Sequence, residues 1–283
     1  MTLSVIIATH ADNAELALTL NSLLLTTPDV SELEVIVVDD ASPVPVGTLG
    51  AALMGGHVRV HRNSRRIGVG ASRHVGALMA TGQFLLIIDS HMRFTPGWYQ
   101  AAMLHASTHL MTLCCGVCLA LDDTHKDVNH PDGAYYGATW NMAGHDRNRP
   151  SLRQVFETVW ALELPGEDYE ISAVMGACYF IARDFYLRLN PLQFFRGWGG
   201  DEASLSLKCW LAGGDMRLLK NVRIGHKFRS IKRVPFPVRS DEVLYNKLFT
   251  LHTCLPQDVV DRFLKKFQRG GHFQSALRML YDD

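Results

Sequence analysis

Two short segments combine side chains that bind divalent metal ions in proteins. Asp89 and His91 stand two residues apart, directly after the apolar run Phe84 to Ile88, so a turn there would let both face one ion. A carboxylate oxygen with an imidazole nitrogen favours Mn²⁺ or Mg²⁺ over a closed zinc site. His226 is the candidate third ligand, because Gly225 before it permits close approach of the backbone. A lone histidine among the 13 is more often a surface or core residue, so the prediction depends on the combination.

A glycine-rich segment, Arg196 to Glu202 (RGWGGDE), places an aromatic ring and two carboxylates at the start of a predicted helix. The glycines leave room for a ligand against the backbone, and the indole of Trp198 can stack on a sugar ring. Asp201 and Glu202 are the candidate catalytic carboxylates. Capping of the helix N-terminus by Asp201 explains that residue equally well, so the segment alone leaves both roles open.

Apolar runs alternating with amphipathic segments predict the elements that position these residues. The predicted strands are Ser4–Thr9, Glu34–Val38, Val58–Arg62 and Phe84–Ile88, and the predicted helices between them are Asn13–Leu25 and Ala71–Met79. This alternation predicts an α/β fold with a doubly wound, mostly parallel sheet and helices on both faces. Ligands bind such sheets at the carboxyl ends of the strands, where Asp12, Asp40 and Asp89 stand.

The second half of the chain is more mixed. The predicted elements there are apolar strands at Leu113–Leu121 and Ala177–Ala182, an irregular surface stretch over Asp122–Pro150, and a helix over Glu202–Ala212. We predict one domain over residues 1–235, made of two halves, 1–92 and 93–235. Residues 236–283 are predicted as a helical tail or lid.

Composition excludes several classes of protein. Lys plus Arg equals Asp plus Glu at 28 each, which removes general attraction to nucleic acid or an anionic membrane. The six cysteines lie mostly in apolar runs and no signal peptide precedes the first strand, so we expect reduced thiols and a cytoplasmic protein. No apolar run has the length of a membrane-spanning helix.

Three further patterns are weak. Gly68-Val69-Gly70 resembles a dinucleotide fingerprint, but Arg73 occupies the position of its third glycine. His105 and His109 have the spacing of a zinc protease pair but lack the glutamate of that motif. The CxxC of residues 115–118 lies in an apolar run without a second pair, which indicates core cysteines.

Taken in order along residues 3 to 230, several motifs resemble the GT-A glycosyltransferases, most closely the polypeptide N-acetylgalactosaminyltransferases and their bacterial and phage-like relatives. The motifs are SVIIATH, EVIVVDDAS, RRIGVGASRHVGALMATGQFLLIIDSH, MGACYFIAR, RGWGGDEASLSLKCW and GHKFR. The Asp-Ser-His tripeptide resembles the family's variant of the DxD metal motif. The animal enzymes also have a membrane anchor and a lectin domain, and from the sequence we expect neither here.

The resemblance implies that residues 1–235 are a catalytic domain with a nucleotide-binding half (1–92) and a sugar and acceptor half (93–235). It also implies a role for each matching residue. Asp89, His91 and His226 match the metal ligands for Mn²⁺ or Mg²⁺. The residues that match nucleotide-binding positions are Thr9, Asp40, Arg66, Ser90 and Arg229. Asp40 matches the position that hydrogen-bonds the uracil, and the two arginines match groups that bind the nucleotide or its diphosphate. Gly176 and Trp198 match the donor-sugar and gating positions. Asp201 replaces the family's glutamate, so a shorter carboxylate stands there and Glu202 is a second candidate.

The implied function is a metal-dependent transfer of a hexose or N-acetylhexosamine from a UDP-sugar to a hydroxyl acceptor, with retention. A glycan, a protein hydroxyl and a modified base of phage-type DNA remain open as acceptors, the last because of the basic residues Lys227, Arg229, Lys232, Arg233 and Arg239. The alternatives are a nucleotidyltransferase and a sugar-nucleotide-binding module without catalysis.

Overall fold

The computed structural model describes residues 2–47, 56–106, 109–121, 133–142, 152, 155–166, 169–176, 178–230, 233–265, 267 and 270–281. Its strands are β1 (Leu3–Thr9), β2 (Leu33–Asp39), β3 (Val58–Arg62), β4 (Phe84–Ile88), β5 (Met92–Phe94), β6 (Thr112–Leu121), β7 (Gly133–Tyr135), β8 (Ala138–Asn141), β9 (Glu157–Trp160), β10 (Cys178–Ala182) and β11 (Asp215–Lys227). Its helices are α1 (Asn13–Thr26), α2 (Val69–Met79), α3 (Trp98–Ala106), α4 (Arg183–Leu189), α5 (Asp201–Leu211), α6 (Ser240–Cys254), α7 (Gln257–Leu264) and α8 (Gly271–Tyr281).

The main sheet has the strand order β3-β2-β1-β4-β10-β6-β11-β5, with β7 paired to β6. Strands β3, β2, β1 and β4 are parallel, as the sequence predicts. All seven residues of β1 are buried, so both faces of this strand are covered. Ile6 of β1 faces Gly76 of α2, where an added Cβ would lie 2.4 Å from its Cγ2. The small residue at position 76 therefore lets the helix pack closely on the sheet.

The other half of the sheet is mixed, which the sequence does not reveal. Strand β10 pairs antiparallel with both β4 and β6, and β11 pairs parallel with β6. Two antiparallel steps restore the direction of β4, so β11 ends at the same edge of the sheet as β1 and β4. This topology brings the end of β11, which contains His226, to the edge where Asp89 follows β4.

Two further differences concern local structure. Helix α2 begins at Val69, two residues before the predicted start at Ala71. Of the stretch 122–150 predicted as irregular, only residues 133–142 lie within the described residues, and these include strands β7 and β8. Strand β8 pairs with β9 in a separate two-stranded sheet.

The apolar residues form two clusters. The larger one surrounds the main sheet and includes the buried side chains of β1, β2, β4 and β10. The smaller one joins Leu152, Val155 and Phe156 to the apolar faces of α6, α7 and α8. Within the described residues, no helix is long and apolar enough to cross a membrane.

Candidate active site

A cavity of about 330 Å³ opens at the carboxyl edge of the sheet, and every site residue predicted from the sequence lines it. Those twelve residues are Thr9, Asp40, Arg66, Asp89, Ser90, His91, Gly176, Trp198, Asp201, Glu202, His226 and Arg229. They come from segments far apart in the chain. The common location follows from the topology, because β1, β2, β4 and β11 all end at this edge and β10 begins there.

Asp89, His91 and His226 lie close enough to share one ion. One ligand atom from each of the three lies within 4.8 Å of the other two. The Oδ2 atom of Asp89 is 3.3 Å from His226 Nε2 and 3.9 Å from His91 Nε2. Strand pairing explains the approach of the histidines, because β5, which starts directly after His91, is antiparallel to β11. Met92 of β5 pairs with His226.

The chemistry of this donor set fits a divalent metal ion. His226 is buried, and within the described part of the chain neither ring nitrogen makes a well-oriented hydrogen bond, Nε2 having only its 3.3 Å contact with Asp89 Oδ2. Such an unpartnered polar group is costly unless another ligand satisfies it. Burial lowers the pKa of His226, although the nearby Asp89 acts in the opposite direction. The lowered pKa favours the neutral imidazole, the form that can bind a metal. Burial opposes ionisation of Asp89, yet Arg73 and the two imidazoles hold its pKa well below the usual range.

Asp12 fixes the orientation of His91. One carboxylate oxygen of Asp12 lies 3.1 Å from His91 Nδ1 and accepts a hydrogen bond of 2.7 Å from Ser90 Oγ. The other oxygen accepts from Arg229 Nη2 at 2.7 Å. With Nδ1 held by Asp12, the Nε2 atom of His91 faces Asp89. In metalloproteins a carboxylate commonly binds the far nitrogen of a metal-binding histidine and fixes the tautomer and orientation of its ring. The sequence predicts that Asp12 lies at the carboxyl edge of the sheet, but not that it contacts His91.

Arg73 is a functional residue that the sequence interpretation missed. It is 4% exposed and its guanidinium donates to Asp89 Oδ1 and, at 3.0 Å, to Asp201 Oδ2. Its Cζ atom lies 5.2 Å from the centre of the Tyr179 ring. From the sequence it was only the residue that interrupts a dinucleotide fingerprint. A signal was present, because a lone arginine among the small residues of a buried helix requires a buried carboxylate partner.

The two carboxylates at the start of α5, Asp201 and Glu202, line the cavity and do not cap the helix. Gly200 is the N-cap residue, with a φ of +87°, and the Asp201 carboxylate contacts Arg73 instead. The capping alternative for Asp201 is therefore wrong. Tyr179 donates its hydroxyl to Glu202 Oε1 at 2.7 Å. Burial and the neighbouring Asp201 raise the pKa of Glu202 to about 7, and burial also raises the pKa of Asp201.

Asp40 and Thr9, two of the predicted nucleotide-binding residues, differ in how many hydrogen bonds they make. Asp40 accepts three hydrogen bonds of 2.8 Å, from the backbone nitrogens of Ile67 and Gly68 and from Asn63 Nδ2. It therefore fixes the loop before α2 as well as facing the cavity. Thr9 Oγ1 is buried and, among the described residues, has no hydrogen-bond partner. That hydroxyl is available to a ligand.

The loop of residues 196–200 needs its glycines. Gly197, Gly199 and Gly200 have φ values of +56°, +98° and +87°, in the left-handed region that other residues rarely adopt. Gly197 also pairs with Gly68, where an added Cβ would lie 2.3 Å from the backbone of Gly197. Trp198 between these glycines is 39% exposed and lines the cavity.

An aromatic cluster beside the metal-ligand trio was not predicted from the sequence. The ring centre of Phe228 lies 4.4 Å from that of His226 and 5.3 Å from that of Trp160. Tyr135 contacts both Phe228 and Trp160. Trp160 comes from β9, which the sequence did not indicate, so the cluster becomes visible only in the folded chain.

Two of the three patterns discounted from the sequence lie outside the cavity, whereas Val69 of the third lines it. Cys115 and Cys118 are buried in β6 and unpaired, and burial raises the pKa of the Cys115 thiol to about 12. The rings of His105 and His109 stack on each other at 4.2 Å. Neither pair belongs to the group of Asp89, His91 and His226.

Comparisons with known proteins support the fold and the resemblance. The chain is 29% identical over 248 residues to polypeptide N-acetylgalactosaminyltransferase 5 of Caenorhabditis elegans, covering 84% of this chain and 38% of that protein. It is 26% identical over 279 residues to the inactive polypeptide N-acetylgalactosaminyltransferase-like protein 5 of Macaca fascicularis, covering 94% of this chain and 60% of that protein. The chain thus spans about half the length of these relatives.

The fold is similar to that of a solved structure, the crystal structure of GalNAc-T7 with UDP, GalNAc and Mn²⁺. The TM-score is 0.77 at 22% sequence identity, over 99% of this chain and 54% of the other. This similarity confirms the predicted α/β, GT-A fold. The model of glycosyl transferase family 2 matches residues 4–171, more than half of the chain. The chain therefore belongs to glycosyl transferase family 2.

Proposed function

We propose that this chain transfers a hexose or N-acetylhexosamine from a UDP-sugar to a hydroxyl acceptor, with Mn²⁺ or Mg²⁺ held by Asp89, His91 and His226. The observation that supports this most directly is the convergence of that trio with Arg66, Arg229 and the two carboxylates of α5 on one cavity. The relatives are polypeptide N-acetylgalactosaminyltransferases, and the solved neighbour contains UDP and Mn²⁺.

The leaving UDP gains negative charge as the bond to the sugar breaks. A bound divalent ion would stabilise that charge as a Lewis acid. Arg66 and Arg229 line the same cavity and would donate hydrogen bonds to the phosphate oxygens. In the structure Arg66 lies 4.5 Å from the ring centre of Phe236, and Arg229 is paired with Asp12. Both guanidiniums are thus positioned before a ligand arrives, which is the condition for electrostatic stabilisation of a transition state.

The sugar gains positive charge in the same step, so carboxylates suit the opposite side. Asp201 would orient the sugar hydroxyls, since Arg73 holds its carboxylate in the cavity. Glu202, whose pKa is raised by burial and by the neighbouring Asp201, is the group we propose to accept or hold a proton in the reaction. We propose retention of the anomeric configuration from the resemblance, and the anomeric proton signal of the product in NMR would measure it.

The acceptor we favour is a glycan or protein hydroxyl rather than a DNA base. The basic residues that would suit a phosphate backbone are largely neutralised within the chain. Lys227 pairs with Glu15, Arg229 with Asp12 and Arg239 with Asp241. Lys232 lies outside the described residues. These ion pairs weaken the electrostatic attraction on which DNA binding depends.

The function is tested by the product that leaves the donor. With Mn²⁺, we expect slow release of UDP from UDP-GalNAc, UDP-GlcNAc or UDP-glucose even without acceptor, measured by chromatography. Excess chelator should abolish it. Calorimetry should show tighter binding of UDP than of GDP, because Asp40 and Thr9 stand at the proposed base site. Release of pyrophosphate would indicate a nucleotidyltransferase. Binding of UDP without turnover of any donor or transfer to any acceptor would indicate an inactive module like the macaque relative.

Asp12→Asn is expected to weaken Mn²⁺ binding by about 10- to 100-fold, because outer-shell partners of metal ligands typically contribute that much. The asparagine keeps the size of the side chain but removes the negative charge beside His91 Nδ1. Free Mn²⁺ measured by electron paramagnetic resonance in the presence of UDP reports the affinity. Asp258→Asn, at an exposed surface ion pair, is the matched control. Equal affinity in the two variants would contradict the role of Asp12.

A further inference from the structure

Helix α6 packs along the loop of residues 196–200. Glu242 and Asn246 lie one turn apart and therefore on the same face of α6. An added Cβ at Gly197 would lie 2.1 Å from Glu242 Oε2, and one at Gly200 would lie 3.5 Å from the Cβ of Asn246. This face of the helix therefore occupies the space beside the loop.

Asn246 binds the loop backbone on both sides of Trp198. Its Oδ1 atom accepts a hydrogen bond of 2.9 Å from the backbone nitrogen of Arg196. Its Nδ2 atom donates to the carbonyl of Arg196 at 2.8 Å and to that of Gly199 at 2.9 Å. The side chain is 1% exposed, so water does not compete for these bonds. The oxygen and both hydrogens of one amide are thus used to fix the loop.

The loop is held from the opposite side as well. The backbone nitrogen of Val69 donates to the carbonyl of Gly197 at 2.9 Å, next to the close contact between Gly68 and Gly197. Between these two supports the backbone of residue 198 has little freedom. The indole itself is 39% exposed and can still change rotamer.

We infer that Asn246 is a positioning residue for sugar transfer and that α6 is part of the catalytic unit. Its amide sets the backbone of the loop, so any movement of Trp198 at the cavity is a rotation of the indole and not of the loop. This inference rests on the proposed function, which assigns Trp198 to the donor sugar. Val243 and Lys247 of the same helix line the cavity directly, which supports its inclusion in the unit.

The native protein provides a first test. Hydrogen exchange measured by mass spectrometry should show slow exchange for the amide of Arg196, because Asn246 accepts its hydrogen bond. Exchange at the rate of an unprotected amide would overturn the inference without any variant.

Two variants test the consequence for function. Asn246→Ala removes all three bonds, and the isosteric Asn246→Asp keeps the packing but puts an oxygen against two carbonyls. Thr250→Val is the matched control, because Thr250 is also buried on α6 and its hydroxyl bonds only to the carbonyl of Asn246 within the helix. Proteins labelled with 5-fluorotryptophan report the loop by ¹⁹F NMR, with Trp198→Phe used to assign the signal.

In both Asn246 variants we expect a shifted or broadened Trp198 signal. We also expect kcat/KM for UDP-GalNAc hydrolysis to fall about tenfold, a loss comparable to one or two hydrogen bonds. The Kd of UDP with Mn²⁺ should change less than twofold. A wild-type signal and wild-type kinetics would overturn the inference, as would equal losses in Thr250→Val. If the wild-type protein releases no UDP, the proposed function fails, while the ¹⁹F and exchange data still decide whether Asn246 positions the loop.

Discussion

Asp89→Asn is expected to lower the release of UDP from a UDP-sugar by about 10³-fold. Removal of one group that stabilises charge in a transition state already costs 10² to 10³ in rate, and this carboxylate would also hold the metal ion. Asparagine has nearly the same shape, so the cavity should keep its form. Turnover measured across a Mn²⁺ titration reports the loss, and circular dichroism reports the fold.

The matched control for this variant is Asp184→Asn. Asp184 is a carboxylate on α4 whose side chain is 95% exposed, so its removal changes the net charge equally without touching the cavity. It should keep the full rate. Asp89→Asn with unchanged Mn²⁺ dependence would show that the ion, if required, binds elsewhere.

The first half of the fold could be predicted because three of its four strands, β1, β2 and β4, are almost entirely buried. Runs such as VIIA and FLLII are apolar at every position, and the segments between them have helical spacing. A parallel sheet with its ligand site at the carboxyl edge follows from that pattern. The observed β1 is one residue longer than predicted at its start, and the observed β2 is one residue longer at each end.

The second half could not be predicted in the same way, because its pairing is decided by contacts between distant segments. Strand β10 is as apolar as β4, and nothing in its sequence shows that it runs antiparallel. Strands β5 and β9 have three and four residues, too few for a periodic pattern. The Trp160 and Phe228 cluster depends on one of these short strands.

The residues of the candidate active site could also be predicted only where they form a local motif. Asp89 and His91 form a local motif, and the glycine segment around Trp198 is equally visible in the sequence. Arg73 was missed because its meaning depends on what surrounds it after folding. In the chain it stands between small residues of α2, whereas in the structure its guanidinium lies between the carboxylates of Asp89 and Asp201.

Arg73 connects the two sides of the proposed reaction. We propose that Asp89 acts with the metal ion on the side of the leaving UDP and that Asp201 acts on the sugar side. Burial alone would raise the pKa of each carboxylate, and the charge of Arg73 opposes that rise: the pKa of Asp89 lies well below its usual range, whereas that of Asp201 stays raised. Loss of this cation should therefore disturb stability and turnover together.

Arg73→Met is expected to lower the free energy of unfolding by about 3 to 5 kcal/mol, because it leaves buried carboxylates without a counter-charge. Urea denaturation measures this loss. Turnover should fall at least about 100-fold, since Asp89 and Asp201 lose the group that orients them. Arg73→Lys should recover only part of the rate, because an ammonium is a point charge and cannot donate to two carboxylates as the planar guanidinium does.

A second substitution separates the two effects. Arg73→Met combined with Asp201→Asn removes one of the uncompensated charges, so it should recover part of the lost stability while turnover stays low. Arg188→Met is the matched control, because this exposed arginine lies 5.1 Å from the Phe185 ring at the surface of α4. Its loss should cost little stability. If Arg73→Met were no less stable than Arg188→Met, the buried ion pairs of Arg73 would not support the fold, and its proposed effect on Asp89 and Asp201 would lose its physical basis.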